Sequence, residues 1–414
     1  MRRAVAGLLC AVLPAALAFA LALGVPRAAA RGEPGPATTA RAATLIEAGS
    51  GERLYGRIPD SRQAIASATK LMTALVTLEH VHRLGVMFAQ NDYRAAPEDS
   101  QIGLEPGERM SVHDLLIALM LPSADDAAED LAFNIGRGSV ARFVAMMNAR
   151  ARALHLVHTH YSTPIGLDTP GNYSSASDLV RLARYLLRSS PFFKRVVGMR
   201  SAVLHTGDHA RTVVNRNDLV ARIPWINGVK TGHTLDAGYV LVGSGTRRGM
   251  TLISAVIGTP DERSRDASTL ALLDWGFAHY GLRTPVRRGA VVARPAVHGR
   301  AGVHAPVIAA RTFEHVFARD ARPRLALHVP RELTGPIERH AVVGSIVVTS
   351  RGKVVGRVAL IAARAVPGPS ATGGGLGFIT RPFTLLSLVV LLAVAVGLAV
   401  FWRGRNRARR AKPA

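Results

Sequence analysis

Residues 66–80 read Ala-Ser-Ala-Thr-Lys-Leu-Met-Thr-Ala-Leu-Val-Thr-Leu-Glu-His, and the reading of this stretch decides the fold. From Lys70 to His80 the apolar side chains recur at helical spacing, so the stretch predicts a helix opened by Ser67 and Lys70. Three residues apart on a helix, the two side chains share a face. A serine at a helix start lies near unpaired backbone amides and the positive end of the dipole. A hydroxyl is a poor nucleophile until a neighbouring base takes its proton, and a partly buried lysine kept neutral is such a base. The tetrapeptide alone does not decide between that chemistry and an N-cap serine beside a surface lysine. Ser350-Arg-Gly-Lys353 has the same spacing and reads as a turn.

Outward from this segment, Asp114 to Leu121 is helical by pattern and stops at Pro122, and Asp125 to Ile135 and Val140 to Leu154 read the same way. Gly238 to Ser244 and Thr251 to Ile257 read as strands around a turn at Thr246 to Gly249, with a last helix near Ala267 to Tyr280. Helices, then strands, then a helix predict a mixed α/β domain with an antiparallel sheet over residues 31–284. Residues 285–365 differ. Ala341 to Thr349 and Val354 to Ala362 are β-branched runs flanking Ser350 to Lys353, so a small all-β domain is expected.

The chain has 414 residues and a net charge of +24, which invites a nucleic-acid reading until the charge is located. Residues 31–284 carry 28 basic and 24 acidic side chains, and residues 285–365 carry 14 and 4. The excess thus lies mainly outside the longest segment, and nucleic acid is not the expected partner. Only five cations are lysines: Lys70, Lys194, Lys230, Lys353 and Lys412.

Residues 1–30 read as a signal peptide: Arg2 and Arg3, the apolar run Ala4 to Val25, then Ala28-Ala29-Ala30. An uncleaved anchor is the alternative. The single cysteine, Cys10, lies inside this segment, so cleavage removes thiol and disulfide chemistry together. Phe383 to Trp402 is apolar and uncharged and predicts a transmembrane helix, followed by a basic tail at 403–414. The positive-inside rule puts that tail in the cytoplasm and the rest outside, as a single-pass cell-membrane protein. Residues 366–382, rich in Pro and Gly, read as a flexible linker.

Two further motifs lie in the main domain. Lys230-Thr231-Gly232 presents a cation and a hydroxyl just before a strand, with Gly232 leaving room for close approach to the backbone. Ser123-Ala124-Asp125 follows Pro122, where a serine hydroxyl is placed to relay a proton. In this order, S-x-x-K, S-x-N-like and K-T-G form the penicilloyl-serine transferase signature. With the flanks Ala66 to Thr73, Asp126-Ala127-Ala128, Asn227 to Thr234 and Ala237-Gly238-Tyr239, the chain resembles the serine-type D-alanyl-D-alanine carboxypeptidases, the low-molecular-mass penicillin-binding proteins.

That resemblance implies a β-lactamase/penicillin-binding-protein-like α/β (α+β) catalytic domain, its antiparallel sheet flanked by helices, with the small β domain and anchor as family features. It implies Ser67 as acylated nucleophile, Lys70 as its base and Ser123 as proton relay. Lys230 and Thr231 would bind the substrate's terminal carboxylate, and amides of Ser67 and His233 would form the oxyanion hole. Arg216 and Arg265 match carboxylate-recognition arginines. Peptidoglycan stem peptides are the implied substrate and β-lactams the implied inhibitors, with no metal or organic cofactor. Asp125 departs from the usual Asn: ionised beside Lys70, it favours the ammonium. Either acylation is slower than with Asn, or Asp125 works protonated. His155, His158 and His160 lack accompanying carboxylates or cysteines and read as loop histidines rather than metal ligands. The charge on residues 285–365 suggests contact with anionic lipid or wall polymer.

Overall fold

The computed structural model describes residues 35–97, 99–368 and 382–409. The predicted signal peptide, most of the predicted linker and the last residues of the tail lie outside them. Two compact units divide between Ala278 and His279.

In the first unit, β1 (Ala42–Glu47) pairs on one side with β2 (Arg53–Arg57) and on the other with Met250–Thr259. Gly238–Arg247 and Ile226–Thr234 complete this antiparallel five-stranded sheet, leaving Ile226–Thr234 on its edge. The turn predicted at 246–249 is made by Arg248 and Gly249, both at positive φ. Two such residues give the type I′ connection that suits the twist of paired strands.

The helix α1 (Lys70–His80) is buried from Lys70 through Thr77. A helix apolar on every side belongs inside, and α2 (Val112–Met120), α3 (Asp125–Ile135) and α4 (Val140–Ala153) pack around it. The amphipathic α5 (Ala176–Ser189) lies against β1 and Met250–Thr259. Ser111, Ser139 and Ser175 cap α2, α4 and α5, each accepting from the amide three residues on, worth about 1 kcal/mol apiece. α3 is different. Its N-cap is Ala124, and its first turn carries Asp125 and Asp126 where the dipole favours anions.

The helix expected from Ala267 begins earlier, at Glu262, and ends at His279. Tyr280 opens a strand, Tyr280–Val286, paired with Phe313–Ala318 in the second unit, so that unit starts a few residues before 285. The alternation of Tyr280, Leu282, Thr284 and Val286 accounts for the switch to extended backbone. The expected hairpin is present as Val342–Ser350 and Lys353–Ala362, in a five-stranded sheet with Val291–Ala293, Val307–Ala309 and Arg324–His328. Val307, Phe317, Ile346, Val348, Val358 and Leu360 form its core. A helix, Pro382–Arg409, contains the segment Leu385–Arg403, long and apolar enough to cross a bilayer.

Candidate active site

Ser67 does not stand on α1 itself. It lies on a 3₁₀ turn, Ala66–Thr69, and α1 starts at Lys70. Side chains at i and i+3 of a 3₁₀ turn nearly eclipse, which brings Lys70 Nζ to 2.9 Å from Ser67 Oγ. Two glycines let other segments close on this turn. A Cβ on Gly232 would stand 3.0 Å from Ala66 Cβ and Ser67 N, so the missing side chain admits the serine turn itself. A Cβ on Gly166, at φ 97°, would stand 2.2 Å from Ala66 O. Ala66 is held at φ 48°, in the left-handed region, a strain typical of over-determined functional positions.

Lys70 is fully buried. Its Nζ donates to Ser67 Oγ, to Asp125 Oδ1 at 2.5 Å and to Ile165 O at 2.8 Å. Three acceptors match the three N–H bonds of an ammonium. Burial pulls the Lys70 pKa down from the usual lysine range, against the opposing charge and hydrogen bond of Asp125. The Asp125 carboxylate thus bears directly on Lys70 and favours its ammonium.

Ser123 joins α2 to α3 at φ 69°, with its buried Oγ unpartnered among the described residues. The preceding residue, Pro122, helps line a groove of about 630 Å³ with Gln101, Thr212, Val214 and Arg216. Lys230, on the edge strand Ile226–Thr234, is 1% exposed and donates to Thr231 O at 3.0 Å. Burial, then the cations Lys70 and Arg216, hold its pKa well below the usual lysine range. Arg216 is exposed, and its guanidinium has no partner among the described residues. Arg265 is buried and engaged by Asp266 and Glu262, so its guanidinium is already neutralised, although its charge reaches Lys230. The His233 ring stacks on Tyr239, with centroids 4.0 Å apart.

The structure thus joins Ser67, Lys70 and Asp125 by direct bonds and sets Lys230 and Arg216 in the same electrostatic field. It adds residues that the sequence reading does not single out. Ile165 supplies a carbonyl to Lys70, and Thr73 Oγ1 donates to Pro164 O at 2.6 Å. Asp168 accepts from Thr234 Oγ1 and Asp236 N, tying the same loop to the edge strand. Pro164 and Gly166 mark a turn, the only local signal of this wall. Asp126 accepts from the amides of Ile102 and Leu104, and Glu129 lies one turn beyond Asp125. Of the three histidines, His160 Nδ1 lies 2.6 Å from Gly171 O, and His158 offers its amide to Asp178. Among the described residues no cluster of three or more His, Cys, Asp and Glu is arranged to hold a metal.

A serine hydroxyl bonded to a fully buried lysine, in the field of a second buried lysine, is the arrangement a serine acyl-transfer enzyme needs. The family model described as D-alanyl-D-alanine carboxypeptidase, peptidase S11, matches residues 28–261, and the chain belongs to that family of serine hydrolases. It is 34% identical to D-alanyl-D-alanine carboxypeptidase DacF of Bacillus subtilis over 62% of this chain and 66% of that protein. It is 30% identical to DacA of Escherichia coli over 84% and 89%. Among solved structures, penicillin binding protein 5 of Haemophilus influenzae matches at TM-score 0.67 and 29% identity, covering 81% of this chain and all of that one. The Streptomyces K15 DD-transpeptidase matches at TM-score 0.57 and 32% identity, over 59% and 99%.

Proposed function

We propose that the chain removes the terminal D-alanine from peptidoglycan stem pentapeptides through an acyl-enzyme on Ser67. Lys70 takes the Ser67 proton as Oγ bonds to the carbonyl carbon of the D-Ala–D-Ala bond. The C–N bond then breaks, Ser123 passes a proton to the leaving amine, and water hydrolyses the ester. Amides of Ser67 and His233 face the developing oxyanion, while Lys230, Thr231 and Arg216 receive the terminal carboxylate. Arg265 acts on that carboxylate through its charge, since its donors are engaged elsewhere. A β-lactam reacts at the same hydroxyl and leaves its opened ring attached. The single observation that carries this reading is the bond from buried Lys70 to Ser67 Oγ.

The first unit, ending at Ala278, would be the catalytic part, and residues 279–365 a β domain. Leu385–Arg403 is suited to anchoring them outside the membrane with the basic tail inside. The basic β domain would then lie against anionic lipid or wall polymer, and its binding to either should weaken with salt. Labelling with a fluorescent penicillin tests the enzyme assignment. An adduct lost in Ser67→Ala, with release of D-alanine from a pentapeptide, is expected. No adduct, or one that survives that substitution, overturns it.

A further inference from the structure

α3 sets Glu129 one helical turn beyond Asp125, on the same face. The two are 8% and 4% exposed. Glu129 makes no hydrogen bond or ion pair among the described residues, and of the Asp125 carboxylate only Oδ1 is engaged, by Lys70. The Glu129 carboxyl therefore lies on the same face of α3 as the Asp125–Lys70 ion pair, in a residue that is buried but whose side chain no other described group claims. Burial, then the charge of Asp125, pushes the Glu129 carboxyl up to about 7, while Lys70 draws it down.

We propose that Glu129 shares a proton with Asp125 and so holds Lys70 in the neutral form that deprotonates Ser67. The inference rests on the acyl-enzyme reaction proposed above. The proton count works as follows. With three N–H bonds committed to three acceptors, Lys70 has no lone pair for the serine proton. If one N–H bond breaks and that proton forms an O–H bond on Asp125 Oδ2, the two remaining N–H groups still serve Asp125 Oδ1 and Ile165 O. The lone pair then faces the Ser67 hydroxyl. A proton on Oδ2 needs an acceptor, and an ionised Glu129 is one. Two adjacent carboxyls holding one proton are more stable than two ionised ones, and this favours the neutral lysine even with Asp in the place of Asn.

Other charges bear on the pair. Lys70 faces it from α1, and Tyr93 and Asp99 face it from the loop before Ile102. Asp126 and Asp130 lie on α3 itself, and the charges of Arg216 and Lys230 also act at Lys70. Of these charges Asp125 bears most strongly on Glu129, and Lys70 opposes it.

The test is the rate of acylation of the full-length protein by a fluorescent penicillin, followed against pH. For wild type the rate should rise through the neutral range as Glu129 loses its proton. Glu129→Gln should lose that rise and acylate about tenfold more slowly above neutrality, the worth of one pKa unit on the base. In the Asp125→Asn background the same substitution should no longer produce this loss, because the proton-sharing partner is gone. If Glu129→Gln fails to fold, Glu129→Asp replaces it and should keep the rise, displaced along the pH axis. A wild-type pH profile in Glu129→Gln, or an equal loss with Asn at 125, overturns the inference. A wild-type chain that forms no adduct overturns the reaction assignment instead, which separates the two failures.

Discussion

Gly166→Ala adds one methyl group where the loop carrying Ile165 meets the serine turn. The new Cβ would stand 2.2 Å from Ala66 O and 2.8 Å from Thr69 Oγ1. A carbon–oxygen contact settles at about 3.3 Å or beyond, so the two backbone segments must part by about 1 Å. Ile165 O bonds Lys70 at 2.8 Å, and a displacement of that size breaks the bond. Overpacking costs about 1–3 kcal/mol, and holding Ala at φ 97° adds about 1–2 kcal/mol. A net loss of about 3 kcal/mol would lower Tm by about 6–12 °C. Acylation should slow about a hundredfold, because Lys70 loses the bond that sets it toward Ser67. Fluorescent-penicillin acylation and thermal unfolding, measured side by side, read both effects. Gly249→Ala separates strain from contact: φ there is 79°, but nothing lies within 4 Å of the added carbon. It should cost about 1 kcal/mol and leave acylation alone. Wild-type acylation in Gly166→Ala would refute the coupling of this loop to Lys70.

Ser123→Ala should cut acylation about 10²- to 10⁴-fold without lowering Tm, since the hydroxyl it removes is buried and unpartnered; a fall in Tm with unchanged acylation would make Ser123 structural. Arg216→Ala should raise KM for a carboxylate-ended peptide about ten- to a hundredfold, with much less effect on an amidated one, as read by steady-state D-alanine release. Asp130 is buried with its Oδ2 unpartnered, and burial raises its carboxyl to about 7. A carboxyl whose pKa is raised by folding binds more protons folded than unfolded, so stability is lost as pH climbs from about 4 through 7. Asp130→Asn should therefore gain stability relative to wild type at pH 8 over acid pH, by on the order of 2–4 kcal/mol, seen as a smaller drop in Tm between the two conditions.

The helices were legible because their patterns were local. α1 and α3 start where Lys70 and Asp125 start the apolar periodicity, and both hairpins announce themselves through Arg-Gly turns at 248–249 and 351–352. The strand Ile226–Thr234 was not. Ile-Asn-Gly-Val-Lys-Thr-Gly-His-Thr contains two glycines and no clean alternation, and only pairing with Gly238–Arg247 makes it extended. The candidate side chains could be named from their motifs, but the third acceptor of Lys70 is a carbonyl. Every residue has one, so Ile165 left no mark in the text. Glu129 was hidden for another reason: on an acidic helix start it resembles any solvated glutamate until burial is known.

The depth of the two site lysines has a practical side. The first unit contains Lys70, Lys194 and Lys230, and amine reagents attack free, solvated amines. Lys70 and Lys230 are 0% and 1% exposed, with their amines hydrogen-bonded, whereas Lys194 stands in the open on the helix Pro191–Val197. An arginine-rich surface offers such reagents no further side chain, since a guanidinium stays protonated. Within this unit, coupling through a lysine side chain to a bead, a dye or a sensor chip falls in effect on Lys194 alone and leaves Lys70 and Lys230 untouched, the α-amino group being the other amine such reagents reach.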